Sequence, residues 1–219
     1  MYIIYFCITM VNNFTKRAIS TVLLGGTLVF LLIKYEQFYK IFFAILLILM
    51  LLEWIKLNKN KKSLLFHSGL VYISFPMVFL IKSTMFNNHI ILLLFSIVWS
   101  CDIFAYIGGK LIGGPKFSPK ISPNKTWAGV ICGSICAFII ALLYMEYTSL
   151  YVPKIFIVFF IIASILGDLL ESKVKRILEV KDSGNIIPGH GGILDRFDSF
   201  LLTTYAYIFT HYLYILTKY

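Results

Sequence analysis

Long apolar runs broken by short charged segments make up most of this chain. A helix that crosses a bilayer needs about 20 mostly apolar residues, because the hydrocarbon layer is about 30 Å thick. Seven stretches reach or approach that length: Ala18–Ile33, Phe38–Leu52, Leu64–Ile81, Ile90–Gly109, Trp127–Tyr147, Ile155–Leu170 and Phe200–Leu216. The first, second and sixth are short for a full crossing and are expected to tilt or to reach into the interface. Met1–Met10 is apolar but too short to cross, and no Lys or Arg precedes it. It makes a poor signal peptide and reads as an interfacial lead-in, with Met10 an alternative start. The pattern predicts an all-α polytopic integral membrane protein of about seven transmembrane helices, in one transmembrane domain spanning residues 1–219.

Composition agrees. Of 219 residues, 59% are hydrophobic and 14% charged, where a soluble domain carries about 25% charged residues. That excludes a water-soluble globular enzyme. With 14 Gly, 6 Pro and 4 Cys, a collagen-like fibre, a disordered chain and a disulfide scaffold are excluded too. Cys7, Cys101, Cys132 and Cys136 all lie in apolar stretches without a CxxC pair, and read as buried small hydrophobes.

Charge sets the orientation. The net charge is +10, which suits anionic headgroups or phosphates. With the N-terminus inside, fifteen Lys and Arg fall in inner segments, against five outside: Lys34, Lys40, Lys82, Lys154 and Lys218. That bias puts the N-terminus in the cytoplasm and the C-terminus outside. The long inner loops, Lys110–Thr126 and Glu171–Ser199, also concentrate charge, so any chemistry is expected to face the cytoplasm. The basic stretch Asn58–Lys62 reads as a headgroup anchor.

The first loop region opens with Asp102, an acid inside the fourth apolar run. Such a residue is costly in a membrane and marks function by default, although pairing with a nearby lysine or capping a neighbouring helix is the plainer alternative. Lys110, Lys116, Lys120 and Lys125 follow with no acid among them, spaced by Gly113, Gly114, Pro115, Pro119 and Pro123. Irregular Gly/Pro backbone with lysines suits an anion, and a positively charged interfacial loop would share that composition.

The second region is denser. If the sixth helix continues past its apolar part, Asp168, Ser172 and Lys175 share one face by their i, i+4, i+7 spacing. Lys181-Asp182-Ser183-Gly184 looks like a turn. Pro188-Gly189-His190-Gly191-Gly192 then leads into Asp195-Arg196-Phe197-Asp198, whose two aspartates share a helix face at the start of the last span. They suit Mg²⁺, a hard cation that keeps water and phosphate ligands, and the glycines before them would let a phosphate approach the backbone. The alternative is that Asp195, Arg196 and Asp198 cap and salt-bridge a helix start. His190 has two readings, a phosphate donor or a loop hydrogen-bonder, while His67, His89 and His211 read as packing.

These residues resemble a known family, the phosphatidate cytidylyltransferases or CDP-diacylglycerol synthases. The likeness runs from Ser172 through Lys175-Arg176, Lys181-Asp182 and Pro188-Gly189-His190-Gly191-Gly192 to Asp195-Arg196-Phe197-Asp198. A second block, Asp102 to Gly129, is similar as well and includes Ser122-Pro123-Asn124-Lys125-Thr126-Trp127. Together they cover about a quarter of the chain, all in its second half. The chain departs from many members at Ala128, where they carry Glu, and in a short N-terminal half.

The resemblance implies a reaction of CTP with phosphatidate to give CDP-diacylglycerol and pyrophosphate, in phospholipid biosynthesis at the bacterial plasma (inner) membrane. It implies Mg²⁺ held by Asp168 and Asp195, with Asp182 and Asp198 in support and a second cation admitted. Lys175, Arg176, Lys181 and Arg196 would meet phosphates, His190 would belong to the catalytic set, and Ser172 would donate or ligate. Asp102, Asn124 and Lys125 would bind substrate. The partners implied are CTP, phosphatidate and membrane lipids; a homodimer is admitted and no nucleic acid is expected. Helices within 1–100 would be scaffold and 101–219 the catalytic half. Two rival classes stand beside this reading: a CTP-dependent lipid-alcohol kinase, and an ion-coupled transporter using Asp102 and Asp168. Against the transporter, the halves show no paired broken helices. A CDP-alcohol phosphotransferase would need an Asp-Gly-x2-Ala-Arg pattern that is not present.

Overall fold

A computed structural model describes residues 25–35, 38–58, 63–82, 86–184 and 191–218. Met1–Met10, Cys7, the basic residues 59–62 and His190 lie outside the described residues. The elements are α1 (Gly25–Lys34), α2 (Phe38–Leu57), α3 (Ser63–Lys82), α4 (Asn88–Leu111), β1 (Lys116–Ser118), β2 (Ser122–Thr126), α5 (Trp127–Thr148), α6 (Lys154–Ile177) and α7 (Leu194–Lys218). Six of the seven expected apolar runs, Phe38–Leu52 to Phe200–Leu216, each fall within one helix, and the described part of the first is helical too. The chain is a helical integral membrane protein, and α2 to α6 are each long and apolar enough to cross a bilayer.

The other two helices fall short for different reasons. Only ten residues of α1 are described. α7 runs for 25 residues but carries Asp195, Arg196, Asp198 and several threonines. The hydroxyls of Thr203, Thr204 and Thr210 are buried and donate to the carbonyls of Ser199, Phe200 and Ala206 one turn back. A helix whose polar groups are satisfied internally tolerates an apolar setting without being apolar itself.

The chain divides into two compact units, residues 1–82 with 180–196, and residues 83–179 with 197–219. In the first, α2 buries Tyr39, Phe43, Leu46, Met50, Glu53 and Trp54 along one stripe. The Trp54 indole N–H donates to the Phe66 carbonyl at 2.9 Å, and its ring occupies the space where a side chain at Gly69 would project. That contact docks α3 on α2.

In the second unit α4, α6 and α7 pack around an aromatic core. Phe95 of α4 stacks on Phe200 of α7 at 4.0 Å between centroids, while Phe160 of α6 and Phe86 pack on Tyr207. α5 meets α4 along small residues at every fourth position, Gly129, Gly133, Ala137 and Ala141. A Cβ at Gly133 would lie 2.5 Å from the Cys101 carbonyl oxygen, so the two backbones approach as only glycine permits. Gly167 does the same for α6 and α7, with the Asp198 carbonyl oxygen 2.8 Å from where its Cβ would stand.

The Lys110–Thr126 segment corrects the expectation of an irregular loop. β1 and β2 pair antiparallel, Lys116 opposite Thr126 and Ser118 opposite Ser122, with an irregularity in the register. Gly113 and Gly114 at φ +70° and +92° turn the chain out of α4. Thr126 then caps α5 by accepting from the Gly129 N–H at 3.1 Å. The paired strands give part of this polar backbone its hydrogen-bond partners internally.

The cysteines and histidines divide. Cys101 is buried, as expected, but Cys132 and Cys136 are only half-buried on α5. A helix lying in lipid has no need to bury an apolar thiol inside protein. His67 and His211 pack on aromatic neighbours, and His89 Nδ1 lies 3.4 Å from the Tyr144 hydroxyl.

Candidate active site

Two clusters of functional side chains occur, one in each unit. In residues 83–179 with 197–219, α6 continues as a helix to Ile177, so Asp168, Glu171, Ser172 and Lys175 rise along one side of its C-terminal end. Asp168 Oδ2 forms an ion pair with the Lys125 ammonium at the end of β2. Its Oδ1 accepts a long 3.3 Å hydrogen bond from the Ser172 hydroxyl. Glu171 pairs with Lys175 at 3.4 Å. On α7, half-buried Asp198 accepts from the Ser199 N–H at 2.6 Å and lies within electrostatic reach of Asp168, Glu171 and Lys175. Two like charges so close need cations to balance them, and Lys125 and Lys175 supply them. Asp102, Asn124 and Arg176 are exposed.

In residues 1–82 with 180–196, the centre is the turn before α7. Asp195 Oδ2 accepts from two backbone amides, Ser183 N–H and Gly192 N–H, both at 2.9 Å. Gly191 adopts φ +84°, and a Cβ there would lie 2.7 Å from Asp195 Oδ2 and 3.3 Å from the Asp182 Cβ. Lys181, Asp182 and Arg196 are exposed around this turn. The next two amides, Ile193 and Leu194, donate to Glu53. The backbone N–H groups of Gly192, Ile193 and Leu194 are therefore turned to carboxylates. At these three positions a phosphate would have to meet side chains.

A cytidylyltransferase family model matches residues 62–216, most of the chain. The chain belongs to the cytidylyltransferase family. It is 40% identical to a phosphatidate cytidylyltransferase of Rickettsia bellii over 204 residues, 88% of each chain. It is 42% identical to one of Rickettsia typhi over 210 residues, covering 88% of this chain and 89% of the relative. One from Staphylococcus saprophyticus is 41% identical over 159 residues, 69% of this chain and 61% of the relative. This cytidylyltransferase is thus a membrane-embedded nucleotidyltransferase. The similarity to the rickettsial proteins extends well beyond the two motif blocks.

Among the described residues no three His, Cys, Asp or Glu side chains converge as a ready metal cage. The acids at hand, Asp168, Glu171 and Asp198, are hard oxygen donors, and Mg²⁺ binds through only one or two carboxylates while keeping waters. A sparse set of this kind fits Mg²⁺ and suits no soft metal.

Sequence reasoning passed over Glu53. It is 2% exposed on α2 and holds two backbone amides of the α7 start. An acid at the end of an apolar run was the available signal, the same one that drew attention to Asp102.

Proposed function

We propose that this cytidylyltransferase joins CTP to phosphatidate, forming CDP-diacylglycerol and releasing pyrophosphate. The observation that carries this reading is the Lys125–Asp168 ion pair, which ties one of the two sequence blocks shared with the family to the helical turn just before the other, in a chain similar over most of its length to proteins named for that reaction. A phosphate oxygen of phosphatidate attacks the α-phosphorus of CTP, and the bond to the β-phosphate bridging oxygen breaks. The nucleophile is already anionic near neutral pH, so no strong general base is required. The difficulty is bringing two polyanions together and stabilising the leaving pyrophosphate.

The residues present suit that task. Asp168 and Asp195 would hold Mg²⁺, with Asp198 and Asp182 in support and a second cation admitted. When bound, such an ion draws charge from the triphosphate and stabilises the leaving group. Lys175, Arg176, Lys181, Arg196 and His190 would contact phosphate oxygens, and Ser172 would donate its hydroxyl. Asn124 and Lys125 would bind the triphosphate or the phosphatidate head, and Asp102 would belong to the substrate-binding set beside them. Lys125, paired only through a partly exposed contact, is the cation an arriving polyanion would most readily draw away. Helices within 1–100 serve as scaffold and 101–219 as the catalytic half. The site faces the cytoplasm at a bacterial inner membrane, with the N-terminus inside and the C-terminus outside. A homodimer is compatible with this reading and no step requires one.

Purified protein in detergent, given phosphatidate, Mg²⁺ and CTP labelled in the cytidine, is expected to release one pyrophosphate per CDP-lipid formed. Labelled CDP appearing without CDP-lipid would instead make the enzyme a CTP-dependent kinase.

A further inference from the structure

A carboxylate inside a helix packed among apolar side chains is destabilising unless hydrogen bonds replace the water it has lost. Glu53 lies on the buried stripe of α2 beside Met50 and Trp54 and is 2% exposed. Among the described residues no Lys or Arg pairs with it. Its two oxygens are instead satisfied by backbone. Oε1 accepts from Ile193 N–H at 2.9 Å and Oε2 from Leu194 N–H at 3.0 Å, across some 140 residues of sequence. Those two amides open α7. The first amides of a helix lack intrahelical partners and form its positive pole, so an anion from another helix is held there without a cation.

The surrounding turn is shaped to admit this side chain. A Cβ at Gly192 would stand 2.7 Å from Glu53 Oε2 and 1.9 Å from Ser183 Oγ, and one at Gly184 would stand 2.7 Å from Glu53 Oε1. Any larger residue would push the carboxylate off the backbone. Three consecutive amides are thus divided between two acids. Gly192 N–H goes to Asp195, and Ile193 and Leu194 N–H go to Glu53.

We propose that Glu53 is a positioning residue for the transfer reaction: it fixes the first turn of α7 and so the direction in which Asp195 presents its carboxylate. This inference rests on the function proposed above, with Asp195 as a metal-binding acid. Glu53 touches neither substrate nor cation in this account. It acts through the backbone that carries Asp195, and it gives a helix of the scaffold half an indirect part in the chemistry.

The test uses the full chain in detergent and two variants that reach the clamp from opposite sides. Glu53→Gln keeps size but turns an N–H₂ group toward an amide donor. Gly192→Ala leaves Glu53 intact and forces a methyl into its oxygen and into Ser183. In each, hydrogen exchange of the 192–194 amides, measured without Mg²⁺ or nucleotide, is expected to speed at least about tenfold. At equal amounts of folded protein, the Mg²⁺ concentration giving half-maximal rate is expected to rise at least about threefold. The KM for phosphatidate is expected to change by less than about twofold. Unchanged exchange at 192–194 in both variants would overturn the clamp. Faster exchange with an unmoved Mg²⁺ midpoint, or activity lost only in step with thermal stability, would leave Glu53 a structural residue and overturn the positioning role. If Glu53→Gln fails to fold, Gly192→Ala decides by the same readings. Absence of CDP-lipid synthesis by the wild type would sink the proposed reaction, and the exchange measurement would still decide the clamp.

Discussion

Replacing Lys125 by Gln separates a structural ion pair from a functional cation, because the two roles predict effects of different size. The Lys125 and Asp168 side chains are each 26% exposed. A contact so open to water is screened, and exposed pairs of this kind contribute about 0–1 kcal/mol. Loss of the pair should therefore lower the melting temperature by no more than about 4 °C. A group that neutralises developing charge in the transfer step is worth far more, about a hundredfold in rate or more. Lys125→Gln is thus expected to reduce the rate of CDP-lipid formation at least about fiftyfold while the protein stays folded. The assay follows pyrophosphate release with saturating phosphatidate and Mg²⁺, alongside a thermal melt of the same preparation. Lys125→Arg keeps the charge but changes its geometry, and should fall between the two. A rate within about fivefold of wild type, or a melting temperature lowered by more than about 10 °C, would refute the reasoning and make the pair a strut.

Among the aspartates, Asp168→Ala and Asp195→Ala should each abolish CDP-lipid synthesis and add almost nothing when combined, since groups acting as a unit are non-additive. Asp198→Ala should leave measurable turnover with a raised Mg²⁺ requirement, and titration of Mg²⁺ against rate separates that outcome from complete loss. For orientation, a cysteine at Ser118 in a background without native cysteines should resist an impermeant thiol reagent in intact cells, while one at Thr148 reacts; labelling of Ser118 from outside would reverse the assignment. Gly133→Val should lower thermal stability markedly, because even its Cβ would meet the Cys101 carbonyl oxygen at 2.5 Å, and overpacking costs about 1–3 kcal/mol or more. Gly26→Ala, with nothing within 4 Å, serves as the silent control.

The helices were legible because a bilayer imposes a length and an apolarity that single segments must satisfy on their own. Six of the seven expected runs lie within helices described along their whole length, from α2 to α7. The face shared by Asp168, Ser172 and Lys175 follows from helical spacing alone, and α6 continues far enough to display it. The hairpin escaped notice because its strands have three and five residues, carry Pro and Lys, and lack an alternating apolar face. What stabilises them is mutual pairing of backbone, which composition does not record.

Glu53 and the small-residue face of α5 were hidden for a related reason. Gly129, Gly133, Ala137 and Ala141 read as ordinary apolar content until α4 lies against them. An acid at position 53 reads as a charge at the end of an apolar run until its partners, 140 residues away, close on it. By itself the sequence determined the membrane class, the helical runs and the two motif blocks shared with the cytidylyltransferase family, all of which depend on local composition and fixed spacing. Only the tertiary structure decided that Lys125 pairs with Asp168, and that the amides before α7 serve Glu53 and Asp195. Such contacts arise from backbone approach between distant segments, and no single segment carries the information for them.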